Sequence, residues 1–406
     1  MLRLAGPKLY RAETMVDQTQ TELTTIAGAD NRLGEKQPRS PRYLFGPIID
    51  FLCLGGGSVI VLAAIVLFMP VTPDAKAGLA AAMLYLAHLV NHPHFAHSYQ
   101  IFYSDFAEKA FGSSTPKLLR IRYIIAGIVV PAGLVAFLVA AVLLEDAALL
   151  GAAGNIMLLT VGWHYAKQGY GMVMVDSVLK RRFFNALEKR LLIFNTHACW
   201  IVFWLTLNSE LSQRDLFGFN YYSVAIPGVL LWSGYIVITF SSLATAAILF
   251  RKWQSGGGLP VNGVAAYVVT IYVWMFIGLK DPVLLFVVPA FHSLQYLVVV
   301  WRFQINQTRD RLENAGNRLR GPVSRFLPQN LITHMTIFII GGILLGFFGF
   351  WGAPFLLSTI VPYDSGIFSS ALFLFMFWVF INIHHYFLDN VMWRRENPTT
   401  KKYLFV

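Results

Sequence analysis

Charged residues are scarce in this chain, at 13% of 406 residues, and cysteine occurs only twice. About a quarter of the residues of a typical soluble domain are charged. Here 56% of the residues are hydrophobic, which excludes an ordinary soluble protein. Cys53 and Cys199 both fall in apolar runs, so the sequence predicts neither a disulfide framework nor a cysteine-based zinc ribbon.

Several other patterns are missing. The sequence has no short alternating segments typical of a membrane β-barrel and no internal repeat of the kind found in inverted-repeat transporters. Residues 1–43 are polar and contain no signal-peptide pattern, so we expect a disordered cytoplasmic tail, with Met15 as an alternative start. The net charge of +11 is spread over many loops, so no nucleic-acid partner is predicted.

Long apolar runs are abundant, and each is long enough to cross a hydrocarbon core of about 30 Å as a helix. The predicted spans are Ile48 to Met69, Gly78 to Phe102, Ile121 to Leu144, Ala147 to Val175, Leu191 to Leu207, Val224 to Phe250, Val264 to Leu279, Val283 to Trp301, Leu331 to Ile360 and Ile367 to Trp393. The sequence therefore predicts an all-α, polytopic transmembrane helical bundle of about ten spans over residues 44–395, followed by a cytoplasmic C-terminal tail at 396–406.

The loops between the spans alternate in charge. Lys180, Arg181 and Arg182 lie in a basic loop, whereas the loop with Glu145 and Asp146 has no basic residue. Because cytoplasmic loops keep the Lys/Arg excess, both termini are predicted to be cytoplasmic. The basic loops are expected to contact anionic membrane lipids, and the expected location is a bacterial inner membrane.

All ten histidines fall in the half of their spans nearest the predicted cytoplasmic side. His164, His292 and His384 each lie about 15 Å from an inner boundary, at about 1.5 Å of rise per residue. Ionisable side chains are costly in lipid and usually face a cavity or one another. Neutral imidazole is also the commonest protein metal ligand. The histidine layer therefore predicts a metal site, with a proton relay and simple polar packing as alternatives.

Four motifs on four spans carry the candidate ligands: HLVNHPHFAHSYQ, WHYAKQGYG, PAFHSLQYLVVVWR and NIHHYFLDNVMWR. The predicted metal ligands in these motifs are His92, His94, His97, His164, His292, His384 and His385. Imidazoles with one carboxylate suit iron(II), with zinc as the alternative. Pro93 is expected to kink the first of these helices between its histidines.

Tyr296 and Asp389 are the candidate catalytic residues. Asp389 lies four residues after His385, so its carboxylate is expected to orient an imidazole or to bind the metal, with pairing to Arg394 as the alternative. Lys167 is expected to extend its ammonium to the inner interface. His197 and His334 occur singly and are expected to be structural.

The order and character of the four motifs resemble the membrane β-carotene cleavage dioxygenases of the Brp/Blh type. Pro-His-Phe-Ala at 93–96 resembles the family's Pro-His-Gly-Ala motif, and Trp-His-Tyr at 163–165 resembles its Ile-His-Phe motif. Phe-His-Ser at 291–293 resembles its Ile-His-Ser motif, and His384 with Asp389 resembles its closing His and Asp. The resemblance implies a helical bundle in which histidines hold a non-haem iron, and cleavage of a carotenoid by O₂ to give retinal.

The sequence departs from this family at two motifs. His97 and Ser98 stand where the first motif would continue to Asp, and Tyr296 stands where the third would carry a second histidine. His92, His97 or His385 are candidates to replace the missing ligand.

The leading functional hypothesis is a membrane non-haem iron oxygenase that acts on a lipid-soluble substrate, such as a carotenoid or another isoprenoid. A hydroxylase or desaturase is a close variant, although its histidine boxes are incomplete because only His384 and His385 form a doublet. A proton-coupled transporter would need polar residues through the outer half, where Asn155 is nearly alone. A non-catalytic scaffold is the third hypothesis.

Overall fold

The structure is a computed structural model that describes residues 43–210, 215–216, 219–220, 222–318, 330–394 and 396–405. Nearly all of the predicted N-terminal tail lies outside the described residues. Within them the chain is almost entirely helical, with one antiparallel pair of two-residue strands, β1 (Asp215–Leu216) and β2 (Phe219–Asn220). The prediction of an all-α polytopic bundle is confirmed.

The helices of the described residues are, in chain order, α1 Pro47–Phe68, α2 Pro73–Leu89, α3 Asn91–Tyr103, α4 Phe106–Phe111, α5 Lys117–Leu143, α6 Ala147–Leu179, α7 Ala186–Glu210, α8 Gly228–Gln254, α9 Val261–Ile277, α10 Val288–Arg318, α11 Leu331–Ile360, α12 Leu372–Met392 and α13 Pro398–Leu404. Among them, eight are long and apolar enough to cross a membrane: α1, α5, α6, α7, α8, α11, α12, and α10 with the short turn before it. The chain is therefore a multi-pass membrane protein by length and composition.

Two of the predicted ten spans differ in the structure. The predicted span from Gly78 to Phe102 is interrupted at Val90, where φ −124° and ψ −57° separate α2 from α3. Pro93 explains the position of this break, because its ring clashes with the carbonyl four residues earlier. The interruption therefore falls between His88 and His92, and Pro93 itself sits in the first turn of α3. The other predicted span corresponds to the shorter helix α9.

The two halves of the interrupted span differ in burial. No residue of α2 is buried, whereas α3 buries most of its length, including His92, His94 and His97. Helix α3 contacts α10, α11 and α12. The short segment after the break is thus held in the interior of the bundle, with its polar side chains surrounded by other helices.

Small residues on α11 allow its close approach to α3. A Cβ added at Gly346 would lie 2.8 Å from the backbone carbonyl oxygen of His92, and one added at Gly342 would overlap the His97 ring. The two glycines are four residues apart, a spacing typical of close helix pairs in membranes. Because α11 packs on the back of α3, it holds the face bearing His94 towards the centre of the bundle.

The segment predicted as a cytoplasmic C-terminal tail contains α13, which packs along α10. Leu404 is buried, and Asn306 Nδ2 donates to the Tyr403 carbonyl at 2.8 Å. This contact fixes the chain that follows α12.

We predict that Gly346→Ala lowers the free energy of unfolding by about 1–3 kcal/mol, because the added methyl group overpacks the α3–α11 contact. Gly133→Ala is the matched control, since a Cβ there meets nothing within 4 Å. It should be neutral or stabilising by about 0.5–1 kcal/mol, because alanine favours a helix over glycine. Thermal unfolding in detergent, followed by tryptophan fluorescence, measures both. Equal midpoints for the two variants would contradict the proposed contact.

Candidate metal centre

Four helices bring imidazoles and one carboxylate to a single buried point. His94 comes from α3, His164 from α6, His292 from α10, and His385 with Asp389 from α12. We call these five residues the histidine cluster. All five are buried. The candidate ligand atoms of His94, His164 and His292 lie within 4.8 Å of one another, and so do those of His164, His385 and Asp389.

The distances within the histidine cluster suit a metal ion. His164 Nε2 lies 3.1 Å from His292 Nε2. Two nitrogens bound to one ion at about 2.1 Å are separated by about 3.0–3.4 Å, depending on the angle between the bonds. Asp389 Oδ2 is slightly farther away, at 3.8 Å from His164 Nε2 and 3.6 Å from His385 Nε2. Helices α6, α10 and α12 thus direct these ligand atoms at one small volume.

Unpaired nitrogens in the histidine cluster favour a bound cation. Both ring nitrogens of His94, both of His385, and Nδ1 of His292 are buried without a hydrogen-bond partner among the described residues. Each buried polar atom left unpaired costs about 1–3 kcal/mol. A cation at the centre would accept a lone pair from each ring and remove part of this cost. The residues present therefore fit a metal ion.

A hydrogen-bond network fixes the carboxylate of Asp389. The Tyr296 hydroxyl donates to Asp389 Oδ1 at 2.8 Å, while Oδ2 faces the imidazoles. Trp393 Nε1 donates to the Tyr296 oxygen at 3.2 Å, and Ser98 Oγ lies 2.6 Å from it. Tyr296, predicted as catalytic, is thus placed to orient Asp389. Arg394, the alternative partner of Asp389, donates instead to the backbone of Asn390.

Side chains of α6 and α10 hold His292. The Tyr165 ring stacks on His292 with centroids 3.8 Å apart. Gln168 Nε2 donates to the His292 carbonyl at 3.0 Å and to Gln295 Oε1 at 2.8 Å. Gln295 Nε2 donates in turn to the Leu54 carbonyl, which directly precedes the non-helical backbone of Gly55 within α1. The sequence contained a signal for this network, because glutamines are rare in apolar spans.

Three of the predicted ligands lie outside the histidine cluster. His384 Nδ1 lies 2.6 Å from the Tyr99 hydroxyl and its Nε2 lies 2.9 Å from the Ala126 carbonyl, so both nitrogens are engaged. His92 stacks on Phe350, and His97 bonds to Gln100 Oε1 at 2.7 Å. Neighbouring residues on a helix point about 100° apart, so His384 and His385 cannot both face the centre. Of the two histidines predicted as ligands, His385 lies in the histidine cluster and His384 does not.

The remaining histidines are peripheral. His197 is exposed, its Nδ1 lies 2.7 Å from the Ile193 carbonyl, and its ring stacks on Trp163. His88 stacks on Trp351. Lys167, which was expected to extend to the interface, donates to Asn390 Oδ1 at 2.5 Å.

We predict that His385→Ala removes most of the bound metal, whereas His384→Ala keeps it, because only His385 faces the centre. The two substitutions delete the same group at adjacent positions of one helix, so each controls for the other. Elemental analysis of the detergent-purified proteins measures metal per chain. Equal loss in both variants, with both proteins folded, would contradict this assignment.

Tyr296→Phe is predicted to weaken metal binding by about 10–100-fold without abolishing it, as is usual when a hydrogen-bond partner of a ligand is removed. A chelator titration measures the change in affinity. Tyr165→Phe, which keeps the ring that stacks on His292, is the control and should bind metal like the unmodified protein. An unchanged affinity in Tyr296→Phe would exclude an orienting role for its hydroxyl.

No protein-family model, no curated protein and no solved structure matches this chain. The described residues form a multi-pass helical membrane protein with buried histidine and aspartate groups that can bind a metal ion.

Proposed function

We propose that the protein is an integral-membrane non-haem iron oxygenase that acts on a lipid-soluble substrate with O₂. The observation that carries this proposal is the convergence of His94, His164, His292, His385 and Asp389 from four helices on one buried point. In a purely structural role most buried nitrogens have a hydrogen-bond partner. Several nitrogens of the cluster have none among the described residues.

The ligand types support iron(II). Histidines with a carboxylate are typical of non-haem iron sites that leave positions open for O₂ and substrate. No cysteine belongs to the site, since the buried thiol of Cys199 lies beside Asn195 on α7. Zinc is the alternative metal. When bound, iron(II) would supply the activation of O₂, and the protein's residues would hold the ion and exclude water.

The walls beside the histidine cluster support an apolar substrate. The Phe95 ring lies 4.9 Å from the His385 ring and 5.5 Å from the Phe350 ring. Phe95, Phe350 and Ile381 form one buried apolar group with no charged member. Such surroundings favour an apolar molecule over a polar one, because the apolar molecule gains by leaving water and loses no hydrogen bonds there. The substrate class we propose is a carotenoid or another isoprenoid.

The competing transport hypothesis needs a continuous polar route across the bundle. Asn155, the predicted outer polar residue, is fully engaged: its Nδ2 donates to Asn208 Oδ1 and the Tyr222 carbonyl, and its Oδ1 accepts from Trp204. This closed group fits interhelical contact and not a proton relay. The location we propose is the inner membrane of a bacterium, with the basic loops and both termini on the cytoplasmic side.

The direct test loads purified protein with iron(II) without oxygen, then adds β-carotene and ¹⁸O₂. The proposal predicts near-stoichiometric iron, oxygen uptake that depends on the carotenoid, and carbonyl products that contain ¹⁸O. His292→Ala should lower the activity by more than about 100-fold, the upper end of the loss that is typical when a residue hydrogen-bonded to a ligand is changed. The exposed residue His197 provides the control variant, His197→Ala, which should keep full activity.

Other outcomes would separate the alternatives. A singly hydroxylated product would favour the hydroxylase variant at the same centre. Metal-free protein that retains full activity would contradict the proposed function.

A further inference from the structure

Two cations near the histidine cluster share one neutral amide. Lys167 Nζ donates to Asn390 Oδ1 at 2.5 Å, and an Arg394 NH2 donates to the same oxygen at 3.5 Å. Arg394 Nε also donates to the Asn390 carbonyl at 2.7 Å. An amide oxygen carries no charge, so it holds the two cations together without neutralising either.

Neither cation has a carboxylate partner within ion-pair distance among the described residues. Asp389 precedes Asn390 but directs its oxygens to Tyr296, His164 and His385. Lys167 is within electrostatic range of both Arg394 and Asp389. Asp389 therefore acts on Lys167 only from a distance, and a bound divalent metal would add further positive charge. Cations at membrane depth are costly unless they are paired.

The face of α6 one turn beyond Lys167 is open. Gly171 lies one turn beyond Lys167 on the same face of α6, and a Cβ added there meets nothing within 4 Å. Lys167, Asn390 and Arg394 are all partly exposed. The Lys167 backbone lies three residues from His164, about 4.5 Å along the helix. A group bound at the two cations would thus sit close to the cluster, on the side predicted to face the cytoplasm.

We propose that Lys167 and Arg394 bind the acidic headgroup of an amphipathic lipid, a carboxylate or phosphate, and that the apolar chain of this lipid extends to the histidine cluster. This inference rests on the proposed function and, within its class of lipid-soluble substrates, favours an isoprenoid or other apolar chain with an acidic end over an uncharged one such as β-carotene. Ammonium and guanidinium groups recognise both anions through charge-assisted hydrogen bonds. Asn390 orients the two donors.

The test uses iron-loaded protein in neutral detergent and the fluorescent lipid cis-parinaric acid, compared with its uncharged methyl ester. The acid should bind at least about tenfold more tightly than the ester, because only the acid gains the interaction with the two cations. Lys167→Met and Arg394→Gln should each remove this preference and leave binding of the ester unchanged. Lys167→Arg, which keeps the positive charge, should retain the preference for the acid. Arg190→Gln, an exposed arginine on α7, is the control and should keep the preference.

A second arm separates a lipid headgroup from a free anion. Palmitate should displace bound parinarate, whereas inorganic phosphate should displace it only weakly. Equal binding of acid and ester by the unmodified protein would overturn the inference, and so would a preference that survives in both neutral variants. Displacement by phosphate as effective as that by palmitate would also overturn it, because the site would then bind a free anion.

Iron content, measured on the same samples, keeps the two proposals apart. Iron-bearing protein without a preference for the acid would overturn the headgroup site alone. Protein that holds no iron but still prefers the acid would overturn the oxygenase proposal and support the headgroup site.

Discussion

The burial of imidazole nitrogens in an apolar interior is the constraint on which the rest of this structure depends. His94 and His385 have no hydrogen-bond partner for either ring nitrogen among the described residues, yet both rings are almost fully buried. Such groups are stable in the interior only if something replaces the water that they lost. A metal ion shared by several of them would meet this need at one place.

The surrounding helices keep the rings in position. The break at Val90 allows a short polar helix, α3, to lie in the interior, and the glycines of α11 allow close packing behind it. Gln168 and Gln295 tie α6, α10 and α1 together beside His292. Each of these features would be unfavourable alone, since it places polar groups or a helix end in an apolar bundle. Together they pair the amide nitrogens of Gln168 and Gln295, whereas the rings of His94 and His385 keep no partner among the described residues.

The sequence predicted the helical class, eight of the spans and the four helices that supply the histidine cluster. Depth in the membrane follows from position along a helix, so His164 and His292 were correctly expected to share a layer. Depth does not specify direction, which is why His384 and His385 were not distinguished. Their spacing to Asp389 held the missing information, because His385 is four residues away and shares its face. The pairing of Lys167 with Asn390 depends on how α6 packs on α12, which no local pattern reveals.

The histidine cluster and the proposed headgroup site both draw residues from α6 and from the end of α12 or just after it, and we propose that together they orient a bound lipid. The most direct test of the metal centre is an anomalous difference map, collected at the iron edge from crystals of the iron-loaded protein. The account predicts a single peak beside His164 Nε2 and His292 Nε2, with His94, His385 and Asp389 around it. A peak at His88 or His92 instead, or no peak in active protein, would contradict it.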